Sequence, residues 1–433
     1  MPSSLSFPHL TSTPIFTVQT HRFPGQHLRQ YPGATRHREE AILYLEAKQY
    51  RPLSNPDPQD GDVTILATHA TGFPKELYEP FFARLLQHSA RAGFRIRSIW
   101  IADASNQNAS GVINEGEQGD DPSSLDYPRD LLHMINIFRA EFPAPIVGVG
   151  HSMGATALTH LAHLHPRLLA ALVLFDPIMD GAVATDYATM FYQNALRPDL
   201  WSSREAAERG SRALWRKWDP EVLALWMEFG LRDTPTLAHP QAGKVTLRTA
   251  KAQEGWLYSR NCFDPLPADG EFATTASRIK YPDLHPGIQQ THPFYRPEDP
   301  QMWRDLAHLR PSVLYVCPAD GPGAVGASTA AKLAQTGVGQ GGSGGVKAGR
   351  VSAVVVEGAG HLLVFERPGE CAAVAARWVG EELGGWRERG VVEKGGIDDK
   401  SVGQVALSAE WMRLAGVWFA KVRAGRGGGQ AKL

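Results

Sequence analysis

Short apolar or β-branched runs alternate with longer stretches of helical period along most of the chain. Seven runs stand out, at 41–47, 63–68, 95–101, 146–150, 170–175, 312–317 and 351–356. Continuous apolar runs without alternation are what strands covered on both faces look like. Helical period recurs between them, over 76–92, 127–142, 154–165, 327–335 and 368–383. Alternation of this kind predicts βαβ crossovers and a mostly parallel sheet flanked by helices, an α/β class. Near the start, 16–20 and 41–49 are followed by turns rather than helices, which predicts an antiparallel entry to the sheet.

One gap breaks the rhythm. Between 178 and 310 there is no comparable strand run, and six of the eleven tryptophans fall there: Trp201, Trp215, Trp218, Trp226, Trp256 and Trp303. Segments 204–218 and 220–231 read as helices with an aromatic stripe. The chain therefore divides into a core made of 1–177 and 311–433, with 178–310 as an inserted cap whose aromatic bias suits an apolar pocket. Two further stretches read as loose: 105–124, rich in Asn, Gly, Asp and Glu, as a solvated loop, and the Gly/Ser tract 337–349 as a flexible, disordered surface insertion.

Composition narrows the function classes. The 433 residues carry 44 Lys+Arg against 45 Asp+Glu, so no overall field favours a polyanion and nucleic acid is not an expected partner. Cys262, Cys317 and Cys371 form no close pair, which argues against structural zinc and a secreted disulfide framework. No run approaches the ~18 apolar residues that a membrane span needs. The opening Met1-Pro2-Ser3-Ser4 lacks a basic start and an apolar run, unlike a secretory signal. A soluble intracellular protein is expected.

The strongest chemical signal is Gly150-His151-Ser152-Met153-Gly154. A Gly-x-Ser-x-Gly string alone is weak, and a second one, 341–345, lies inside the low-complexity tract. Context separates the two: Ser152 follows an apolar strand run and precedes a helical start, the setting in which a tight turn lifts a nucleophilic serine above a sheet. Glycines are needed on both sides because a Cβ would clash there. The Met153 N–H, at the helix N-terminus, would then face a developing oxyanion. A second donor is expected from the turn after the third strand, His69-Ala70-Thr71-Gly72-Phe73-Pro74, where the N–H groups of Thr71, Gly72 and Phe73 are candidates. His69 itself is expected to be structural.

The base is read at His361, on the glycine-rich turn Glu357-Gly358-Ala359-Gly360 after the last strand run. His151 should point the wrong way for a base, and His160, His163 and His165 read as packing or solvated residues. Two carboxylates qualify as the acid that orients His361. Asp176 ends the sixth strand and Asp320 follows the seventh, where Pro318 replaces a usual glycine; Asp176 is favoured, with Asp320 the alternative.

In these motifs the chain resembles the α/β-hydrolase superfamily, over nearly its whole length. More narrowly, 69–73, the Phe175-Asp176-Pro177 ending and the C-terminus resemble a fungal group of peroxisomal lipase-like hydrolases and hydrolases encoded with host-selective toxin biosynthesis genes. The resemblance implies an α/β-hydrolase fold with a helical cap inserted after the sixth strand. It also implies an ester, thioester or lactone hydrolase acting without metal or organic cofactor on a small hydrophobic acyl substrate. Acyl transfer and a non-catalytic ligand-binding role are the alternatives on the same fold, and a general peroxisomal lipase is the alternative pathway role. The last three residues, Ala431-Lys432-Leu433, nearly match a peroxisomal import address, which implies an import receptor as partner and the peroxisomal matrix as location. The preceding 423–430 should leave this targeting tail accessible.

Overall fold

Val63–Thr68, Ile146–His151 and Ala171–Phe175 are buried along their entire length, as strands covered by helices on both faces must be. A computed structural model of the protein describes residues 3–5, 14–181, 188–261, 279–284, 294–319, 327–394 and 406–425. Asp320 and the tripeptide Ala431-Lys432-Leu433 lie outside the described residues.

Eight strands match the expected ones: β1 (Phe16–Pro24), β2 (Tyr44–Pro52), β3 (Val63–Thr68), β4 (Ile96–Ala102), β5 (Ile146–His151), β6 (Ala171–Phe175), β7 (Ser312–Pro318) and β8 (Val351–Val356). A three-residue strand, Ser3–Leu5, adds an edge that no periodicity signals. The sheet order is Ser3–Leu5, β1, β2, β4, β3, β5, β6, β7, β8. The edge strand, β1, β2 and β4 pair antiparallel, and every pairing from β4 to β8 is parallel. The antiparallel entry and parallel body expected from the sequence are both present.

Registry aligns the strand ends. Thr68 pairs with Gly150, His151 with Phe175, and Phe175 with Val316. The segments leaving β3, β5 and β6 therefore emerge side by side at one edge. One face of the sheet is packed by α1 (Glu79–Ser89) and the helix beginning at Pro368, through Phe81, Phe82, Ala375 and Val379. The other is packed by α3 (Asp126–Ile137) and α4 (Met153–Leu164), through Leu131, Met134, Leu158 and Leu161.

Between β6 and β7 the described chain is not purely helical. Helices such as Arg204–Leu214 and Pro220–Phe229 are joined by a small antiparallel sheet of Leu200–Trp201, Val245–Leu247 and Leu231–Asp233. Strands of two or three residues are too short to show a period, so the sequence pattern misses them.

Both stretches read as loose are ordered. In 105–124 the structure forms α2 (Asn108–Ile113) and buries Asn106, Gln107, Asn108, Ser110 and Asn114. Asn114 exchanges hydrogen bonds with the Tyr44 backbone, donating at 2.7 Å and accepting at 2.8 Å. Polar composition reads as exposure, but these amides find backbone partners far away in sequence. In 337–349, Ser343 N–H donates to Leu309 O at 2.9 Å and Gly337 N–H to Leu306 O at 2.8 Å, which ties the tract to the turn before β7.

The contacts define two units, 1–383 and 384–433. The second contains the helix Ala409–Gly425, which exposes Trp411, Trp418 and Phe419. Among the described residues no helix is long and apolar enough to cross a membrane.

Candidate active site

Ser152 sits between β5 and α4 with φ +55° and ψ −120°, a left-handed backbone that costs a non-glycine residue strain. The turn is tight enough to exclude side chains at its flanks. A Cβ on Gly150 would lie 2.6 Å from Ala155 Cα, and one on Gly154 would lie 2.6 Å from the Thr68 carbonyl carbon. Ser152 N–H donates to Phe175 O at 2.9 Å, which pins the turn to the end of β6.

His361 Nε2 lies 2.9 Å from Ser152 Oγ, and His361 Nδ1 lies 2.7 Å from Asp176 Oδ2. An ionised carboxylate can only accept, so Nδ1 carries a proton toward Asp176 and Nε2 is left to accept the serine hydroxyl. Asp176 also has positive φ, +37°, and its N–H donates to Val316 O at 2.9 Å. The His361 turn is braced by Gly360 N–H, which donates to Glu366 Oε2 at 3.0 Å.

His151 points away from Ser152. Its ring is fully buried, and burial, followed by the nearby His361, pushes its pKa down to about 3, so it stays neutral. His69 is buried too, with Nε2 accepting the Ala104 N–H at 2.9 Å and Nδ1 facing Ala70 O at 2.8 Å. Both histidines hold loops rather than offering a base.

The structure also separates the three loop donors. Gly72 N–H donates to Gln107 Oε1 at 2.6 Å, and Phe73 N–H donates to Ala70 O at 3.2 Å. Thr71 lines the same cavity as Ser152 and Met153. The Met153 N–H heads α4, where intrahelical acceptors run out. Gln107 is fully buried, and its Nε2 lies 3.9 Å from Met153 Sδ, so one amide touches both Met153 and Gly72, the neighbour of Thr71. Sequence reasoning missed it inside a stretch that looked solvated.

The cavity beside Ser152 is lined by Thr71, Ser124, Thr156, Ile178, Leu257 and Arg296, among others. No tryptophan lines it among the described residues. Instead Trp215, Trp218 and Trp226 pack with Phe73, at ring distances of 5.6 to 5.9 Å. Trp218 also meets Phe365 at 5.0 Å. Three of the six tryptophans of the insertion thus serve its attachment to the serine-bearing body. Among the described residues no group of three His, Cys, Asp or Glu side chains is arranged to hold a metal ion.

A nucleophile-type turn after a parallel strand, with a histidine delivered from beyond the last strand, defines an α/β hydrolase. The chain belongs to the alpha/beta hydrolase family, which its residues 65–374 match. It is 35% identical to the type I acyl-CoA thioesterase mpaH of Penicillium roqueforti, over 97% of this chain and 99% of that protein. It is 28% identical to the abhydrolase domain-containing protein AFT2-1 of Alternaria alternata, over 54% of this chain and 83% of that protein. The solved structure of the peroxisomal alpha-beta-hydrolase Lpx1 from Saccharomyces cerevisiae superposes with a TM-score of 0.66 at 16% identity, covering 96% of this chain and 99% of that one, a likeness of fold. Family, fold and the general class of hydrolase follow.

Proposed function

We propose that the protein is a peroxisomal serine thioesterase that releases a hydrophobic carboxylic acid from its coenzyme A ester. The observation that carries this reading is the continuous line from Asp176 Oδ2 through His361 to Ser152 Oγ, at 2.7 and 2.9 Å. Ser152 Oγ attacks the acyl carbonyl as its proton passes to His361 Nε2, and the N–H groups of Met153 and Thr71 receive the oxyanion. The imidazolium, held by Asp176, returns the proton to the departing thiolate. Water then gives its proton to the same nitrogen, attacks the acyl-enzyme and regenerates the serine. Besides the water, the chain's own side chains and backbone N–H groups supply every group these steps need.

Thioester rather than simple ester as the substrate is supported by the full-length likeness to an acyl-CoA thioesterase. The resemblance to hydrolases encoded with toxin biosynthesis genes supports a biosynthetic acyl group over a general storage lipid. Peroxisomal residence is supported by Ala431-Lys432-Leu433 as the address an import receptor would read. Purified protein should hydrolyse acyl-CoA with release of free thiol, and Ser152→Ala should abolish both turnover and fluorophosphonate labelling. Turnover retained in that variant would refute the assignment. A protein that binds acyl-CoA without cleaving it would establish the ligand-binding role instead, and an acyl group passed only to an alcohol or amine would establish a transferase.

A further inference from the structure

Two buried side chains outside the serine–histidine–aspartate line connect the loop that carries Thr71 to the loop that carries His361. Ala70 N–H donates to Tyr78 Oη at 2.9 Å, Tyr78 Oη lies 2.9 Å from His151 Nδ1, and His151 Nε2 lies 2.9 Å from His361 O. Tyr78 is 4% exposed and His151 is fully buried, so neither can exchange these partners for water.

The direction of every proton in this chain is determined by its two ends. A backbone N–H can only donate, so Tyr78 Oη accepts from Ala70 and its own proton is free to go to His151 Nδ1. A backbone carbonyl can only accept, so His151 Nε2 must carry the proton that meets His361 O. One tautomer of His151 satisfies all three bonds. The burial that keeps this ring neutral keeps that tautomer available. The rings also lock one another: Phe365 meets Tyr78 edge-on at 5.1 Å and His151 at 5.4 Å.

We propose that Tyr78 and His151 are positioning residues that hold the oxyanion loop and the base loop in register with each other. The inference rests on the serine hydrolase reading above. During acyl transfer the oxyanion must meet its donors at the moment the serine proton reaches His361, and two loops far apart in sequence must agree on geometry to within a fraction of an ångström. A cross-link that ends on Ala70, next to Thr71, and on the carbonyl of His361 itself couples the two requirements. This also accounts for a histidine before the nucleophile: its ring offers an acceptor on one side and a donor on the other.

The test is Tyr78→Phe, which removes a single oxygen, assayed with p-nitrophenyl butyrate alongside wild type. The expected result is a kcat lowered about tenfold with KM within about twofold, and a melting temperature lowered by only a few degrees, so that the variant stays folded at the assay temperature. His151→Leu should fall by a similar factor, and the double variant Tyr78→Phe/His151→Leu should be no worse than either single one, because the chain is already broken. His151→Gln, whose amide also offers one acceptor and one donor, should recover most of what the leucine loses. A kcat within twofold of wild type in Tyr78→Phe, or a loss that follows the folded fraction, would overturn the proposal. Nitrogen-15 NMR of wild-type protein gives a readout that needs no activity: His151 should be protonated at Nε2 and bare at Nδ1. The opposite tautomer overturns the relay, whereas wild-type protein that neither turns over esters nor reacts with a fluorophosphonate overturns the functional reading instead.

Discussion

Asp176 Oδ2 stands 2.7 Å from His361 Nδ1 although 185 residues separate the two, because β6 and β8 flank β7 in one parallel sheet. If Asp176 orients the imidazole, Asp176→Asn should lower kcat by roughly 10²- to 10⁴-fold while the serine stays in place. Steady-state kinetics of the two asparagine variants will check this, with Asp320→Asn expected to stay within a few-fold of wild type.

Gln107 accepts the Gly72 N–H at 2.6 Å from a fully buried position. Gln107→Leu leaves that donor without a partner, a cost of about 1–3 kcal/mol, and frees the loop that carries Thr71. Urea unfolding should show a loss in this range, and kcat should fall about tenfold.

A Cβ on Gly154 would meet the Thr68 carbonyl carbon at 2.6 Å and His69 O at 2.7 Å, both backbone atoms that cannot swing aside. Gly154→Ala should therefore destabilise the protein by about 3 kcal/mol and abolish labelling of Ser152. At Gly116 an added Cβ meets nothing within 4 Å, so Gly116→Ala should stay within about 0.5 kcal/mol of wild type in the same unfolding assay.

Burial pushes the pKa of His160 down to about 4, against a partly opposing pull from Glu298. The folded protein thus holds this ring neutral while the unfolded chain binds a proton below about 6.5, so stability is lost as pH falls from 6.5 toward 4. The contribution is on the order of 3 kcal/mol. His160→Leu should lose less stability than wild type over that interval, as measured by urea unfolding at a series of pH values.

The sheet was legible because buried parallel strands leave unbroken apolar runs, and the serine turn was legible because two glycines bracket a strand-to-helix transition. The sequence favoured Asp176 and left Asp320 open, since both follow parallel strands; among the described residues it is Asp176 that the His361 imidazole meets. Gln107 was hidden by its neighbours, since Ser105-Asn106-Gln107-Asn108 is as polar as a solvated loop and its burial depends on partners at Gly72, Phe73 and Thr249. The tryptophans divide. Their abundance suggested a substrate pocket, yet Trp218 and Trp226 are spent on Phe73 and Phe365.

From its residues alone the chain specifies an alternating α/β architecture, the strained serine turn and the histidine after the last strand, since all three arise from local spacing and steric need. What the tertiary structure decided is which distant groups complete one another: Asp176 with His361, Gln107 with Gly72, and Tyr78 with His151. Those pairings depend on strand order and registry, which are settled by packing the whole sheet at once and leave no mark on any short stretch of sequence.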